Sequence, residues 1–202
     1  MIRIIGDVHG KTPEYLKLIK VDHSIQLGDL GFNYSFLKKV DSSRHRVLKG
    51  NHDNYDWNEP HFLGDGGPFE LDGMPFFFIR GERSIDWKYR TQGIDYWAAE
   101  ELNDEQMARI EEEYLKAKPV FVLSHGCPSD IINQVVFHRY FDGELLKPSK
   151  TAFFLQKLWD QWQPASWIFG HYHTNKTVIK WPTTFVCLNE LCYIDISSGV
   201  QE

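Results

Sequence analysis

The spacing of hydrophobic positions predicts alternating strands and helices in the first quarter of the chain. Short apolar runs that fit buried strands alternate with segments whose apolar residues recur at helical spacing. The predicted order is strand, helix, strand, helix, strand, at residues 2–6, 13–20, 24–28, 33–40 and 45–50. This order favours a sheet of parallel strands joined by right-handed crossovers.

The rest of the chain predicts two longer helices and several further strands. Residues 103–117 and 151–162 carry apolar side chains on one helical face, and Asn103 and Gln106 stand at the spacing of a capping box. Strands are predicted at residues 69–71, 76–79, 120–124, 166–170, 177–180, 184–188 and 193–196. The first two of these flank an Asp-Gly pair, which favours a hairpin turn.

Composition and charge narrow the class of protein. The 202 residues are 42% hydrophobic and 25% charged, which is typical of a globular domain. No linker or repeat divides the sequence, so we expect one domain over residues 1–202. We see neither a membrane-spanning run nor a signal peptide, and we expect a cytoplasmic location with no membrane partner. The net charge of −6 argues against general binding of duplex DNA.

Side chains that can bind metals cluster where predicted strands end, and glycines flank each cluster. The five clusters are Gly6-Asp7-Val8-His9-Gly10, Gly28-Asp29-Leu30-Gly31, Gly50-Asn51-His52-Asp53, Ser124-His125-Gly126 and Gly170-His171-Tyr172-His173. In α/β sheets with parallel strands, sites form outside the carboxyl ends of the strands. The mixture of oxygen and nitrogen ligands suits Mn, Fe, Zn or Co better than Ca.

The ordered series DVHG, GDLG, GNHD, SHG and GHYH resembles the calcineurin-like metallophosphoesterase superfamily, in particular its small bacterial and phage members. The resemblance spans residues 6–173. It implies an α/β fold, a four-layer α-β-β-α sandwich in which two mixed β-sheets pack face to face with helices outside. It also implies two divalent metal ions, of which Mn is favoured, and hydrolysis of phosphomonoesters or phosphodiesters by a hydroxide that bridges the metals.

The same resemblance implies a role for each cluster. The first metal would be held by Asp7, His9 and His173, the second by Asn51, His125 and His171, and Asp29 would bridge both. His52 would be the general acid near the leaving group, and Asp53 would orient its ring. By formal count, two divalent ions outweigh two carboxylates, so an acidic chain could still attract a phosphorylated small molecule or nucleotide.

Three arginines follow the predicted hairpin and could bind substrate phosphate. Members of the superfamily that are Ser/Thr protein phosphatases carry an arginine in a GDxVDRG run, whereas Asp29 is followed here by Leu-Gly-Phe-Asn. This departure disfavours a protein phosphatase, which we keep as the alternative enzyme. Arg80, Arg83 and Arg90 could replace the missing arginine, because a guanidinium matches two phosphate oxygens. They could equally form structural ion pairs with Asp86, Asp95 or Glu82.

Other interpretations remain open. A non-catalytic metal-binding interaction module on the same fold is the alternative from another functional class. The run from Gly6 to Thr12 resembles a phosphate-binding P-loop, but three residues separate its glycines where that motif needs four. Residues 126–150 form a long connection, either a substrate-facing lid with aromatic side chains at 137–141 or a packed excursion.

Overall fold

The protein is described by a computed structural model over residues 1–136, 140–141, 144–145 and 147–197, with backbone only for the two short ranges. The strands are β1 (Ile2–Ile5), β2 (His23–Gln26), β3 (His45–Val47), β4 (Gly66–Leu71), β5 (Met74–Ile79), β6 (Phe121–Ser124), β7 (Tyr140–Phe141), β8 (Glu144–Leu145), β9 (Ser166–Phe169), β10 (Lys176–Lys180), β11 (Thr183–Cys187) and β12 (Tyr193–Ile196). The helices are α1 (Thr12–Leu18), α2 (Asp104–Ala117), α3 (Ser129–Val135) and α4 (Lys150–Gln161).

The strands form two mixed sheets and a separate antiparallel pair. The first sheet has the order β12-β1-β2-β3, in which β1, β2 and β3 are parallel and β12 is antiparallel to β1. The second has the order β10-β11-β9-β6-β5-β4, with parallel pairing from β11 to β5 and antiparallel strands at both edges. Strands β7 and β8 are antiparallel to each other, and no pairing with another strand is found among the described residues.

Alternating side chains along the strands build the layers. In β5, Phe76 and Phe78 belong to the core between the two sheets, whereas Phe77 and Ile79 face α2, α3 and α4. Successive side chains of a strand point to opposite faces, so each sheet needs cover on both sides. A third core, which includes Tyr15 of α1, covers the outer face of the first sheet. The predicted fold of two mixed sheets with flanking helices is therefore confirmed.

Most predicted elements are found with shifts of a few residues. The capping box at the start of α2 is present, because Asn103 accepts a hydrogen bond from the Gln106 amide and Gln106 accepts one from the Asn103 amide. The prediction of a helix at 33–40 is only partly right, because a 3-10 helix covers Ser35–Lys39. There, the Asn33 carboxamide accepts hydrogen bonds from the amide and hydroxyl of Ser35, a local turn that competes with an α-helical start.

The long connection after β6 contains a helix that the pattern did not predict. Helix α3 has seven residues, with Ile131 and Val135 buried in the core, which is too short for a clear helical period. The first part of the connection is therefore a packed excursion. The aromatic side chains proposed as a lid at 137–141 lie outside the described residues. Over the described part of the chain, no helix is long and apolar enough to cross a membrane.

Candidate metal and active site

The predicted ligands lie just beyond the carboxyl ends of five parallel strands. In chain order, Asp7 and His9 follow β1, Asp29 follows β2, Asn51 follows β3, His125 follows β6, and His171 and His173 follow β9. Strands β1 to β3 belong to one sheet, and β6 and β9 belong to the other. The site therefore forms where the same ends of both sheets meet, as expected for α/β architectures.

The structure brings the predicted ligands into two groups that share one carboxylate. The first group is Asp7, His9, Asp29 and His173, and the second is Asp29, His125 and His171. Within each group, the possible ligand atoms lie within 4.8 Å of one another. Asn51 adjoins the second group, because its Oδ1 lies 3.0 Å from His125 Nε2 and 2.8 Å from His171 Nδ1.

Asp29 presents a different oxygen to each group. Its Oδ2 lies 3.7 Å from His9 Nε2, and its Oδ1 lies 3.2 Å from His125 Nε2. The backbone amide of His52 donates a hydrogen bond to Oδ1 at 2.7 Å and fixes the carboxylate. A carboxylate placed in this way can contact two cations at once.

The second group is an assembly of acceptor atoms. His125 Nδ1 lies 3.0 Å from the Leu27 carbonyl oxygen, which only accepts, so Nδ1 carries the proton. Burial lowers the pKa of His125, so the ring is neutral and its Nε2 is an acceptor. This lone pair faces Asn51 Oδ1, which is an acceptor, and Asp29 Oδ1, which is an acceptor when the carboxyl group is ionised. Converging acceptors repel each other unless a cation lies among them, so these residues fit a bound metal.

Buried charge also favours a cation. Asp7 and Asp29 are both fully buried, and burial together with the Asp7 carboxylate raises the pKa of Asp29 to about 8. Burial of charge is costly unless a partner compensates it. A divalent ion at each group would offset the carboxylates and use the neutral imidazoles as ligands.

Four of the predicted ligands have left-handed backbone conformations. The φ angle is 48° at His9, 59° at Asp29, 67° at His171 and 49° at His173. This region costs a non-glycine residue about 1–2 kcal/mol, and such residues concentrate at functional sites. Gly50 adds a steric constraint, because a Cβ at this position would overlap the Asp29 carboxylate and the His125 ring.

Asp53 holds the loops of the site together. Its buried carboxylate accepts hydrogen bonds from the backbone amides of Asp29 at 2.8 Å, Gly50 at 2.8 Å and Leu30 at 3.1 Å, and from the Tyr34 hydroxyl at 3.2 Å. None of the hydrogen bonds found for Asp53 in the described chain involves the His52 ring. The structure thus places the Asp53 oxygens on the loops after β2 and β3 and on Tyr34, and the role that the resemblance implies for Asp53, orienting the His52 ring, stays a prediction.

His52 contacts an arginine instead. Its Nε2 lies 2.9 Å from Arg90 Nη2, while Arg90 Nε pairs with Asp86 at 2.6 Å and Nη1 donates to the Asp95 carbonyl at 3.2 Å. Burial and then the Arg90 charge lower the pKa of His52 to about 4. The ring also lies 4.8 Å from the His9 ring, centroid to centroid. His52 and Arg90 therefore stand together beside the first group.

A protein-family model matches most of the chain. The family model of calcineurin-like phosphoesterases matches residues 1–175. The chain belongs to the calcineurin-like phosphoesterase family. No curated protein matches this sequence.

Solved structures with the same fold share little sequence with this phosphoesterase family member. Protein TT1561 of Thermus thermophilus is 15% identical, with a TM-score of 0.53 over 94% of this chain and 89% of that chain. A dimetal phosphatase from Danio rerio is 12% identical, with a TM-score of 0.52 over 94% and 87%. The phosphopantetheinyl hydrolase of Mycobacterium tuberculosis is 13% identical, with a TM-score of 0.51 over 94% and 89%.

The structure separates the three candidate arginines of this calcineurin-like chain. Arg80 is buried, its Nε donates to Asp65 at 2.7 Å, and its Nη1 donates to the Ala99 carbonyl, so it has a structural role. Arg83 lies 3.9 Å from Glu101, and its guanidinium is 5.9 Å from the Trp87 ring. Arg90 alone contacts a predicted catalytic side chain, His52.

Two residues that organise the site were missed by the sequence analysis. Ser84 accepts a hydrogen bond from Asn51 Nδ2 at 3.3 Å and donates one to Glu100 at 2.8 Å, so the Asn51 Oδ1 must face the histidines. Gln26 donates to the carbonyls of Gly6 and Gly28 and ties together the loops after β1 and β2. Ser84 had no sequence signal, whereas Gln26 is a polar residue at the end of a buried strand, which is a usable signal.

Proposed function

We propose that this chain is a metal-dependent phosphoesterase that holds two divalent ions at the two groups and hydrolyses small phosphorylated molecules. The observation that carries the proposal is Asp29, whose two oxygens face different sets of histidines. One ion would bind Asp7, His9, Asp29 and His173, and the other would bind Asp29, Asn51, His125 and His171. Mn is the ion that we favour, and Fe, Zn and Co suit the same oxygen and nitrogen donors.

The bound ions would supply Lewis-acid polarisation of the phosphate and water with a lowered pKa. The chain's contribution is to hold the ligands rigidly and to set the charge around the substrate. The left-handed backbone at four ligands and the Asp53 hydrogen bonds keep the donor atoms converged. Such preorganisation means that little rearrangement is needed when a phosphate enters the site.

His52 is the residue that we propose to pass a proton to the leaving alcohol. Without substrate, its Nε2 faces the Arg90 donor and its pKa is about 4, so the ring is neutral. A phosphate that takes the Arg90 donor would free Nε2, and the negative charge of the phosphate would favour the protonated ring. Its ring is next to His9 and therefore next to the first group, where a phosphate would lie. His52 is only partly buried, so an ester oxygen can reach it from the open side. Proton transfer by a positioned side chain typically contributes about 10²–10⁴-fold to the rate.

Arg90 is the residue that we propose to bind a phosphate oxygen. Its Nη2 already points at His52 Nε2, and Asp86 holds the other side of the guanidinium. A phosphate oxygen placed near His52 could take this donor, which replaces the arginine that protein phosphatases carry after the second motif. The absence of that arginine beside Asp29 is why we favour small molecules and nucleotides over phosphoproteins.

The test is hydrolysis of bis(p-nitrophenyl) phosphate and p-nitrophenyl phosphate, side by side, with Mn, with Zn and with EDTA. The parent chain is compared with Asp29→Ala, and Asp160→Ala on the exposed side of α4 is the matched control. We expect metal-dependent turnover that EDTA and Asp29→Ala both abolish and that Asp160→Ala retains. Absence of turnover with two ions bound would refute the hydrolase and leave the interaction module as the interpretation.

A further inference from the structure

A series of neighbouring rings leads from the first metal group to the open side of the site. The His9 and His52 ring centroids are 4.8 Å apart, and the His52 and Phe32 centroids are 6.4 Å apart. Phe32 in turn lies 5.7 Å from Trp97. Exposure rises from His9 to Phe32, because the His9 side chain is 17% exposed and Phe32 is 44% exposed, whereas Trp97 is buried. The phenyl ring therefore stands at the rim, directly beyond the proposed proton donor.

Phe32 is a rigid platform. The buried Trp97 ring lies beneath it at an interplanar angle of 36°, and Trp97 Nε1 is anchored to Asp56 Oδ2 at 2.8 Å. The preceding residue, Gly31, has a φ of 103°, and a Cβ there would lie 2.7 Å from the Gly10 backbone nitrogen. The backbone at Phe32 is thus pressed against the loop that carries His9. Trp97 and His52 contact part of the Phe32 ring, and the 44% of Phe32 that stays exposed is open to a flat group.

We propose that Phe32 stacks against the base of a nucleotide whose phosphate lies at the metal groups. This inference rests on the proposed function and deepens it. His52 defines the side of the phosphate on which the leaving alcohol lies, and Phe32 is beyond His52 on that side. In a nucleotide, the base follows the ester oxygen at a distance of one sugar, so a flat ring is placed next to Phe32.

Stacking fits the chemistry of this rim better than specific hydrogen bonding. Every base has a π-face, so an aromatic platform accepts different bases with similar strength. Phe32 offers no hydrogen-bond donor or acceptor to select among them. A nucleotide carries a base where its sugar phosphate carries a hydroxyl, so comparing the two compounds in variants of Phe32 isolates the contribution of this ring.

The experiment compares kcat/KM for adenosine 5′-monophosphate with kcat/KM for ribose 5-phosphate, using the Mn-loaded chain. The variants are Phe32→Ala and Phe32→Trp, and Phe153→Ala is the matched control because Phe153 is an exposed phenylalanine on α4. We expect the parent to prefer the nucleotide, and Phe32→Ala to reduce this preference by at least about fivefold. Phe32→Trp and Phe153→Ala should retain the preference.

The proposal would be overturned if Phe32→Ala left the preference for adenosine 5′-monophosphate over ribose 5-phosphate unchanged. It would also be overturned if Phe32→Ala lowered only the hydrolysis of p-nitrophenyl phosphate. Hydrolysis of p-nitrophenyl phosphate that depends on Asp29 tests the proposed function separately. If that hydrolysis is absent, calorimetric binding of adenosine monophosphate and ribose 5-phosphate to the same variants decides the inference. Tighter binding of the nucleotide that requires an aromatic residue at position 32 supports stacking, and equal binding of both compounds overturns it.

Discussion

Replacing Asp53 with asparagine distinguishes a residue that holds loops from one that assists proton transfer. The Asp53 carboxylate is fully buried and accepts from the amides of Asp29, Gly50 and Leu30 and from the Tyr34 hydroxyl. In Asp53→Asn, one oxygen becomes an NH₂ group. If the remaining oxygen keeps the hydrogen bonds from the Asp29 and Gly50 amides, the Leu30 amide faces the new NH₂ group, which is also a donor.

The magnitude follows from these contacts. Leaving one buried amide unsatisfied costs about 1–3 kcal/mol, and the bonds that remain lose their charge assistance. Burial, and then the Asp29 charge, raise the pKa of Asp53 to about 7, so the neutral asparagine recovers part of the desolvation cost. We therefore expect a net loss of about 2–4 kcal/mol, which for a chain of this size lowers Tm by roughly 4–16 °C. Because the Asp29 loop loosens, Mn affinity should fall by about 10–100-fold.

The assay is thermal unfolding of the metal-free protein, followed by calorimetric Mn titration. The matched control is Asp160→Asn, because Asp160 accepts one hydrogen bond, from Gln156, on the exposed side of α4. The control should change neither Tm nor Mn affinity. If Asp53→Asn lost turnover while Tm and Mn affinity stayed at the parent values, the loop-holding role would be refuted. Asp53 would then act on the reaction itself.

Three further predictions address other parts of the structure. His52→Gln should keep both metal ions, measured by metal analysis, but lower kcat for p-nitrophenyl phosphate by about 10²–10⁴-fold. An unchanged kcat would contradict proton transfer by His52. Ser84→Ala removes the hydroxyl that orients Asn51 and should weaken the binding of one Mn ion by about 10–100-fold, measured by calorimetry. Equal Mn affinities in the parent and in Ser84→Ala would contradict this role. Asp195→Asn breaks the pair with Arg3 (2.8 Å) and should cost about 0.5–1 kcal/mol at pH 7 in urea unfolding. The Arg3 hydrogen bond lowers the pKa of Asp195 below 3.8. The ion pair therefore stabilises the folded protein above pH 3.8, and this stabilisation disappears when acid protonates the folded Asp195. A difference in unfolding free energy between parent and Asp195→Asn that does not change with pH would contradict the ion pair.

The sequence was most informative where the chemistry is distinctive. Asp, His and Asn flanked by glycine at the ends of apolar runs are rare as a repeated pattern, so the ligand clusters could be located before the structure. Alternating strands and helices likewise implied parallel strands, and parallel strands place their carboxyl ends together. The position of Asp29 between two groups was implied by the resemblance to the superfamily, and in the structure β2 lies between β1 and β3.

The sequence was least informative where the role depends on a contact between distant residues. Ser84 and Phe32 are ordinary residue types, and only their positions beside Asn51 and His52 give them a role. The same holds for Asp53. The resemblance implied that it orients the His52 ring, and only the structure shows that the loop after β3 turns the Asp53 carboxylate toward the loop after β2.

The most direct test of the account is to count bound Mn ions while turnover is followed. Equilibrium dialysis at increasing Mn, with p-nitrophenyl phosphate hydrolysis measured on the same samples, relates occupancy to activity. We predict two ions per chain, activity that appears as the second ion binds, and loss of both ions and activity in Asp29→Ala. Full activity with one ion per chain, or two ions retained in Asp29→Ala, would contradict the shared carboxylate on which the proposed function depends.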